Sequence, residues 1–113
     1  MKMSSALLAI PIAIPILGFS LECEIQLENQ TVRVLKISLD PKEEVGFHRD
    51  VCPRIMHCNL ACSLLQTFED GRQKVIDFSS DQAVYLPSDP IGVMHKTANL
   101  TDAKLEFIVV ELK

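Results

Sequence analysis

Pro90-Ile91-Gly92-Val93-Met94-His95-Lys96-Thr97-Ala98-Asn99 is the stretch from which the rest of this chain is read. Proline and glycine two positions apart make a tight turn whose backbone few other residues adopt cheaply, and the histidine three positions past the glycine opens a strand. A turn that aims a histidine is a device for building a site. Upstream, His48-Arg49-Asp50 supplies a second imidazole and a carboxylate. On one strand, residues two apart point to the same face, so His48 and Asp50 converge and His95 arrives from a facing strand.

The surrounding sequence punctuates like an antiparallel β protein. Short apolar segments rich in branched residues run over Cys23 to Leu27, Thr31 to Leu39, Ile55 to Cys62, Leu64 to Phe68, Lys74 to Phe78, Ala83 to Leu86, Met94 to Ala98 and Leu105 to Leu112. Leu35, Ile37 and Leu39 share one face with Lys36 and Ser38 opposite, the period-two pattern of a half-buried strand. Asp40-Pro41-Lys42, Asp70-Gly71 and Ser88-Asp89-Pro90 mark breaks, and Asp70-Gly71 is a strong two-residue hairpin signal. No segment after residue 21 keeps a helical period. About eight short strands without a helix predict an all-β fold, a sandwich or a jelly-roll barrel.

Length and charge bound what such a barrel can do. At 113 residues the chain is one domain with room for one site. A net charge of -4 with no basic run argues against a nucleic-acid surface, and one tyrosine with no tryptophan leaves little for base stacking. The expected partner is a small molecule. Open strand edges also give a reason for a homodimer.

The amino terminus reads as a signal peptide over residues 1–20. Met1-Lys2-Met3 is a weakly basic start, Ala6 to Phe19 is uncharged and apolar, and Gly18-Phe19-Ser20 offers small residues near a cleavage point. The mature domain then spans 21–113, and the protein is exported to the periplasm or beyond. Pro11 and Pro15 interrupt a stretch already short for a bilayer, so a permanent membrane anchor is not expected. The alternative is that these residues are a first strand of the domain and the protein is cytoplasmic.

Four cysteines, Cys23, Cys52, Cys58 and Cys62, permit two disulfides in an oxidising compartment or serve as buried thiols. Cys58, Cys62 and His57 also raise a zinc site, though without the paired Cys-x-x-Cys spacing. Cys52 shares parity with His48 and Asp50, which places it either at the cavity or in the core. His57 has the opposite parity to His48 on a continuous strand and is expected outside. Asn29-Gln30-Thr31 and Asn99-Leu100-Thr101 fit the glycosylation acceptor pattern.

From about Gln26 to Lys113 the chain resembles the cupins, small β-barrels carrying two short signature regions. The second signature, P-x-G-x-x-H-x-x-x-N, is matched in full by Pro90, Gly92, His95 and Asn99. The first, H-x-H followed three or four residues later by glutamate, is matched only at His48. Asp50 stands where the second histidine is expected, Arg54 or Ile55 where the glutamate is, and Lys42 where a glycine usually follows the proline. The resemblance implies a single-domain cupin-type jelly-roll barrel. In that family three histidines and a glutamate hold iron, manganese, nickel or zinc.

Two chemistries follow from the altered set. His48, Asp50 and His95 make a facial triad that would leave three positions open on a metal, the ligand set of non-haem iron sites. H-x-D with a distant histidine also resembles the 2-oxoglutarate oxygenases, but those domains are longer and Lys104 is a poor match for their basic residue. Alternatively, Arg54 on the same face as Asp50 pairs with it inside the barrel, repels a cation, and makes a metal-free cavity with both histidines nearby. Three functions are thus expected in order: a binding or sensing barrel for an anionic organic ligand, lined by His48, Asp50, Arg54 and His95; a metal-dependent oxygenase or isomerase using His48, Asp50 and His95; and an interaction barrel whose site is lost.

Overall fold

A computed structural model describes the backbone of residues 11–16 and 19–113, and side chains from residue 22 onward. Its strands are β1 (Pro11–Ile16), β2 (Phe19–Glu28), β3 (Val32–Leu39), β4 (Glu44–His48), β5 (Arg54–Cys58), β6 (Cys62–Phe68), β7 (Gln73–Phe78), β8 (Val84–Leu86), β9 (His95–Asn99) and β10 (Leu105–Leu112). Among the described residues there is no helix. The signal-peptide expectation concerns residues 1–20, of which 1–10, 17 and 18 lie outside the described residues; the backbone of β1 pairs with β2.

Two antiparallel sheets form the jelly roll. The larger runs β1-β2-β3-β10-β5-β8 and the smaller β4-β9-β6-β7. Alternation sets what faces inward: Leu35 and Leu39 on β3, Leu105, Phe107 and Val109 on β10, Leu64 on β6 and Ile76 and Phe78 on β7 are buried together. Phe78 and Phe107 meet edge to face at 5.2 Å between ring centroids. The Asp70-Gly71 signal closes the β6–β7 hairpin, where the Gly71 amide donates to the Phe68 carbonyl and Gly71 takes φ 93°. The loop is three residues, 69–71, not the two expected from sequence, because the Phe68 amide donates to the Arg72 carbonyl and the left-handed glycine ends the turn.

Three sequence expectations need correction. The span Ile55 to Cys62 is not one strand: exposed Asn59, Leu60 and Ala61 turn the chain from β5 in the larger sheet to β6 in the smaller. Strand β4 is additional, since Glu44 and Gly46 hide it from a search for apolar branched runs. Finally, Asp50 does not share a strand with His48, because β4 ends at His48 and residues 49–53 form a loop.

A bulge in β4 is what aims His48 into the barrel. Its pairing with β9 runs Val45 to Thr97 and then His48 to His95, three residues against two. The extra residue reverses the parity, so Val45 and His48 both line the interior while Phe47 is exposed.

Candidate functional site

The Pro90–Asn99 segment folds as its sequence predicts. The Val93 amide donates to the Pro90 carbonyl at 3.1 Å and Gly92 sits at φ 81°, the conformation a type II turn demands of its third residue. His95 then opens β9 with its side chain 1% exposed, and Asn99 ends it equally buried. The Asn99 amide nitrogen donates to the Asp40 and Ala103 carbonyls, and its oxygen accepts from the Thr101 amide and hydroxyl. That engagement makes Asn99 a structural tie and removes it as a glycosylation acceptor.

A latch between two loops places Asp50. Its amide donates to Asp89 Oδ2 and its carbonyl accepts from the Asp89 amide, both at 2.8 Å, while Arg49 donates to the Asp89 and Pro90 carbonyls. Asp50 Oδ2 then lies 3.0 Å from Arg54 Nη2, 3.2 Å from His95 Nε2 and 3.6 Å from His48 Nε2. The ion pair with Arg54 expected from sequence is therefore formed, across a loop rather than along a strand.

Each imidazole is also held from behind. His48 Nδ1 is 2.8 Å from the Gly46 carbonyl. His95 Nδ1 is 3.1 Å from Asp89 Oδ2 without a hydrogen bond to it, and its Nε2 is also 3.3 Å from Gln66 Nε2. The rings of His48 and His95 meet at 4.6 Å between centroids.

These contacts set the charge states. Burial alone would raise the Asp50 pKa, but the two histidines and the Arg54 charge outweigh it and hold the carboxyl well below the usual carboxylate range. For His48, burial would lower the pKa, yet the Asp50 carboxylate and the Gly46 carbonyl overcome it and raise the imidazole above its ordinary value.

The site borders a cavity of about 370 Å³ inside the barrel. Its walls are mainly aliphatic, with Leu35, Ile37, Val45, Met56 and Leu64 among them, and its polar residues include Arg33, His48, Asp50, Arg54, Gln66 and Glu111. His95 does not line it but stands behind Asp50. Cys52 does not line it either, which removes it as a cavity thiol. His57 faces out, with Nε2 2.7 Å from the Ser80 carbonyl, so it makes no zinc site with Cys58 and Cys62. In this structure all four cysteines are reduced.

Sequence reasoning missed Asp89, Gln66, Arg33 and Glu111. Asp89 was visible only as a turn residue. Gln66 has the parity of buried Leu64, a signal that could have found it. Arg33 and Glu111 are joined at 2.6 Å by a cross-strand register between residues 78 positions apart, which no local pattern encodes.

The metal expectation can be tested on this geometry. His48, Asp50 and His95 offer donor atoms within 4.8 Å of one another, which suits a facial triad. Arg54 opposes it. Its side chain is 8% exposed and its Nη2 lies 3.0 Å from Asp50 Oδ2, on the same carboxylate that would bind a cation. A divalent ion on Oδ2 would share a poorly solvated space with a fixed guanidinium, and like charges there repel strongly. The residues present do not fit a divalent metal.

No family model matches the chain, and no curated protein matches it. Solved structures do. A cupin domain from Bordetella pertussis superimposes with a TM-score of 0.70 at 23% identity, over 91% of this chain and 95% of that one. A protein described as a predicted oxalate decarboxylase from Thermotoga maritima gives 0.62 at 20%, over 99% and 98%. An RmlC-like cupin family protein with a double-stranded β-helix fold from Methanocaldococcus jannaschii gives 0.59 at 18%, over 99% and 85%. The chain has the cupin jelly-roll fold.

Proposed function

We propose that this cupin-fold barrel binds a small organic acid, with the acid's carboxylate on Arg54 and its apolar body against the aliphatic wall. The observation that carries this reading is the incomplete satisfaction of Arg54. A guanidinium has five N–H donors. Among the described residues this one uses Nη2 on Asp50 and Nη1 on the Pro87 carbonyl, the latter at 3.5 Å. Glu111 stands opposite it on β10 but is bonded to Arg33 instead.

A buried cation with unused donors at a cavity wall is a receptor for a planar anion, because charge-assisted bonds strengthen where water is excluded. Asp50 fixes the guanidinium plane from one side, and His48, engaged with Asp50 and the Gly46 carbonyl, holds that carboxylate in place. The cavity of about 370 Å³ falls in the roughly 300–1,000 Å³ range of small-molecule sites.

The test compares benzoate and octanoate with their neutral amides in thermal unfolding of wild type and Arg54→Met. Both acids are expected to raise the wild-type Tm, by about 2.7 kcal/mol of added stability at a hundredfold excess over Kd. Neither should act on Arg54→Met, and the amides should act on neither protein. An amide as effective as its acid would overturn the reading, as would acids that stabilise the variant equally. Metal content is measured on the same chelator-free preparations. Near-stoichiometric divalent metal that disappears in His48→Ala would replace the acid-binding reading with the facial triad.

A further inference from the structure

The corner between the two sheets, far from Arg54 along β5, carries chemistry that the proposed binding site does not use. Exposed Asn59, Leu60 and Ala61 lie between two buried cysteines, Cys58 at 0% exposure and Cys62 at 9%. Their Sγ atoms are 3.4 Å apart. For sulfur that is van der Waals contact, and a bond requires closing to about 2.05 Å. Neither lines the cavity. Cys58 pairs across the sheet with Phe107 and Cys62 with Phe78, so both thiols sit against the aromatic pair of the core.

We infer that Cys58 and Cys62 form an intramolecular disulfide that staples β5 of one sheet to β6 of the other, while Cys23 and Cys52 remain thiols. Among the described residues the one thiol–thiol hydrogen-bond contact is that between Cys58 and Cys62. Cys23 faces the cavity from β2, and Cys52 sits in the 49–53 loop.

The oxidant is a low-molecular-weight disulfide, R–S–S–R. The thiolate of Cys62, the more accessible of the two, attacks one sulfur, forms a mixed disulfide and releases RS⁻. The Cys58 thiolate then attacks the Cys62 sulfur, forming the Cys58–Cys62 bond and expelling the second RS⁻. Two cysteine thiols lose two electrons, the reagent gains them, and the two cysteine protons pass to the departing thiolates to give two RSH.

Timing follows from the surroundings. Burial, with the adjacent Cys58 thiol, pushes Cys62 up to about 12, so thiolate is scarce in the folded chain and exchange there is slow. The bond forms as the chain folds, while the corner is open.

The test therefore refolds the full chain from denaturant in a buffer of reduced and oxidised glutathione. Free thiols are alkylated in denaturant and the product is mapped by peptide mass spectrometry. Two of the four cysteines should resist alkylation until reduced, with the bond mapping to Cys58 and Cys62. Cys62→Ser should show no intramolecular bond. Closing so short a loop is expected to raise Tm by roughly 5–10 °C over the reduced chain. Alkylation of all four thiols, a bond that includes Cys23 or Cys52, or glutathione adducts alone would overturn the pairing. An oxidised chain no more heat-stable than the reduced one would overturn the staple.

Discussion

At one end of β5, Arg54 points into a cluster of carboxylates and imidazoles; at the other, four residues on, Cys58 is fully buried beside Phe107. The polar end is assembled from irregular backbone: the β4 bulge that turns His48 inward, the 49–53 loop, the Asp50–Asp89 latch and the Gly92 turn. The Cys58 end, closed by the 59–61 turn between the sheets, is otherwise regular strand, with Phe78 and Phe107 in edge-to-face contact. A buried ion pair adds little net stability once desolvation is counted, whereas packed aromatics add a great deal. The two ends therefore divide the work: the closed end holds the barrel together and the polar end spends irregular structure on a binding surface.

Removing an aromatic from the closed end should give the largest effect. Phe107 is 2% exposed, and Phe107→Ala is expected to destabilise by about 4 kcal/mol, as large-to-small changes at buried aromatics do. Urea denaturation measures it, and a loss under about 1 kcal/mol would mean the closed end is not the stabilising one. At the polar end, Arg54→Met leaves Asp50 without its cation and should lose about 3 kcal/mol. The decisive comparison is the double change Asp50→Leu with Arg54→Met. It should recover most of that stability, because an apolar replacement for a buried pair is often neutral or better, yet acid binding should stay lost. A double variant no more stable than Arg54→Met would show that the pair itself supports the fold.

The same division explains what could be read in the sequence. Inward Leu35, Ile37 and Leu39 follow from alternation, and the turns at Gly71 and Gly92 follow from backbone chemistry particular to glycine. The polar end was legible as a list of residues but not as geometry. His48 and Asp50 were placed together by strand parity; they do converge, but through a bulge and a loop, to which parity does not apply. Asp89, which orders Asp50 and approaches His95, reads locally as nothing more than a turn residue before proline. Its role exists only once residues 39 positions apart are latched together.

A smaller effect distinguishes the ends by pH. The folded pKa of Asp50 is lowered, so its stabilising contribution is present above the ordinary carboxylate value near 3.9 and is lost as pH falls below it. That of His48 is raised, so its contribution is complete below its ordinary value near 6.5 and is lost as pH rises through the higher folded value. Stability from the polar end should peak between about pH 4 and 6.5. Measured from pH 6 to 9, wild type should lose stability relative to His48→Gln, which keeps a hydrogen-bonding side chain but cannot titrate. Parallel curves would mean that His48 carries no charge at the polar end.

The smallest expected effect lies at Lys42, which enters β4 from the closed end. It holds φ 61°, in the left-handed region that a side chain enters at a cost of roughly 1–2 kcal/mol. Glycine would remove that strain. Against this, Lys42 Nζ donates to the Leu100 carbonyl at 2.7 Å, an exposed bond worth about 0.5 kcal/mol. Glycine also loosens the unfolded chain, by about 0.4–1 kcal/mol. The terms nearly cancel, so Lys42→Gly should change stability by no more than about 0.5 kcal/mol and leave acid binding at Arg54 unaltered. The backbone bonds from the Lys42 amide to the Thr101 carbonyl and from the Asn99 amide to the Glu43 carbonyl need no side chain at 42. If the substitution instead weakened acid binding, the entry to β4 would be setting the position of His48 at its far end, and the two ends of the barrel would be mechanically coupled rather than separate.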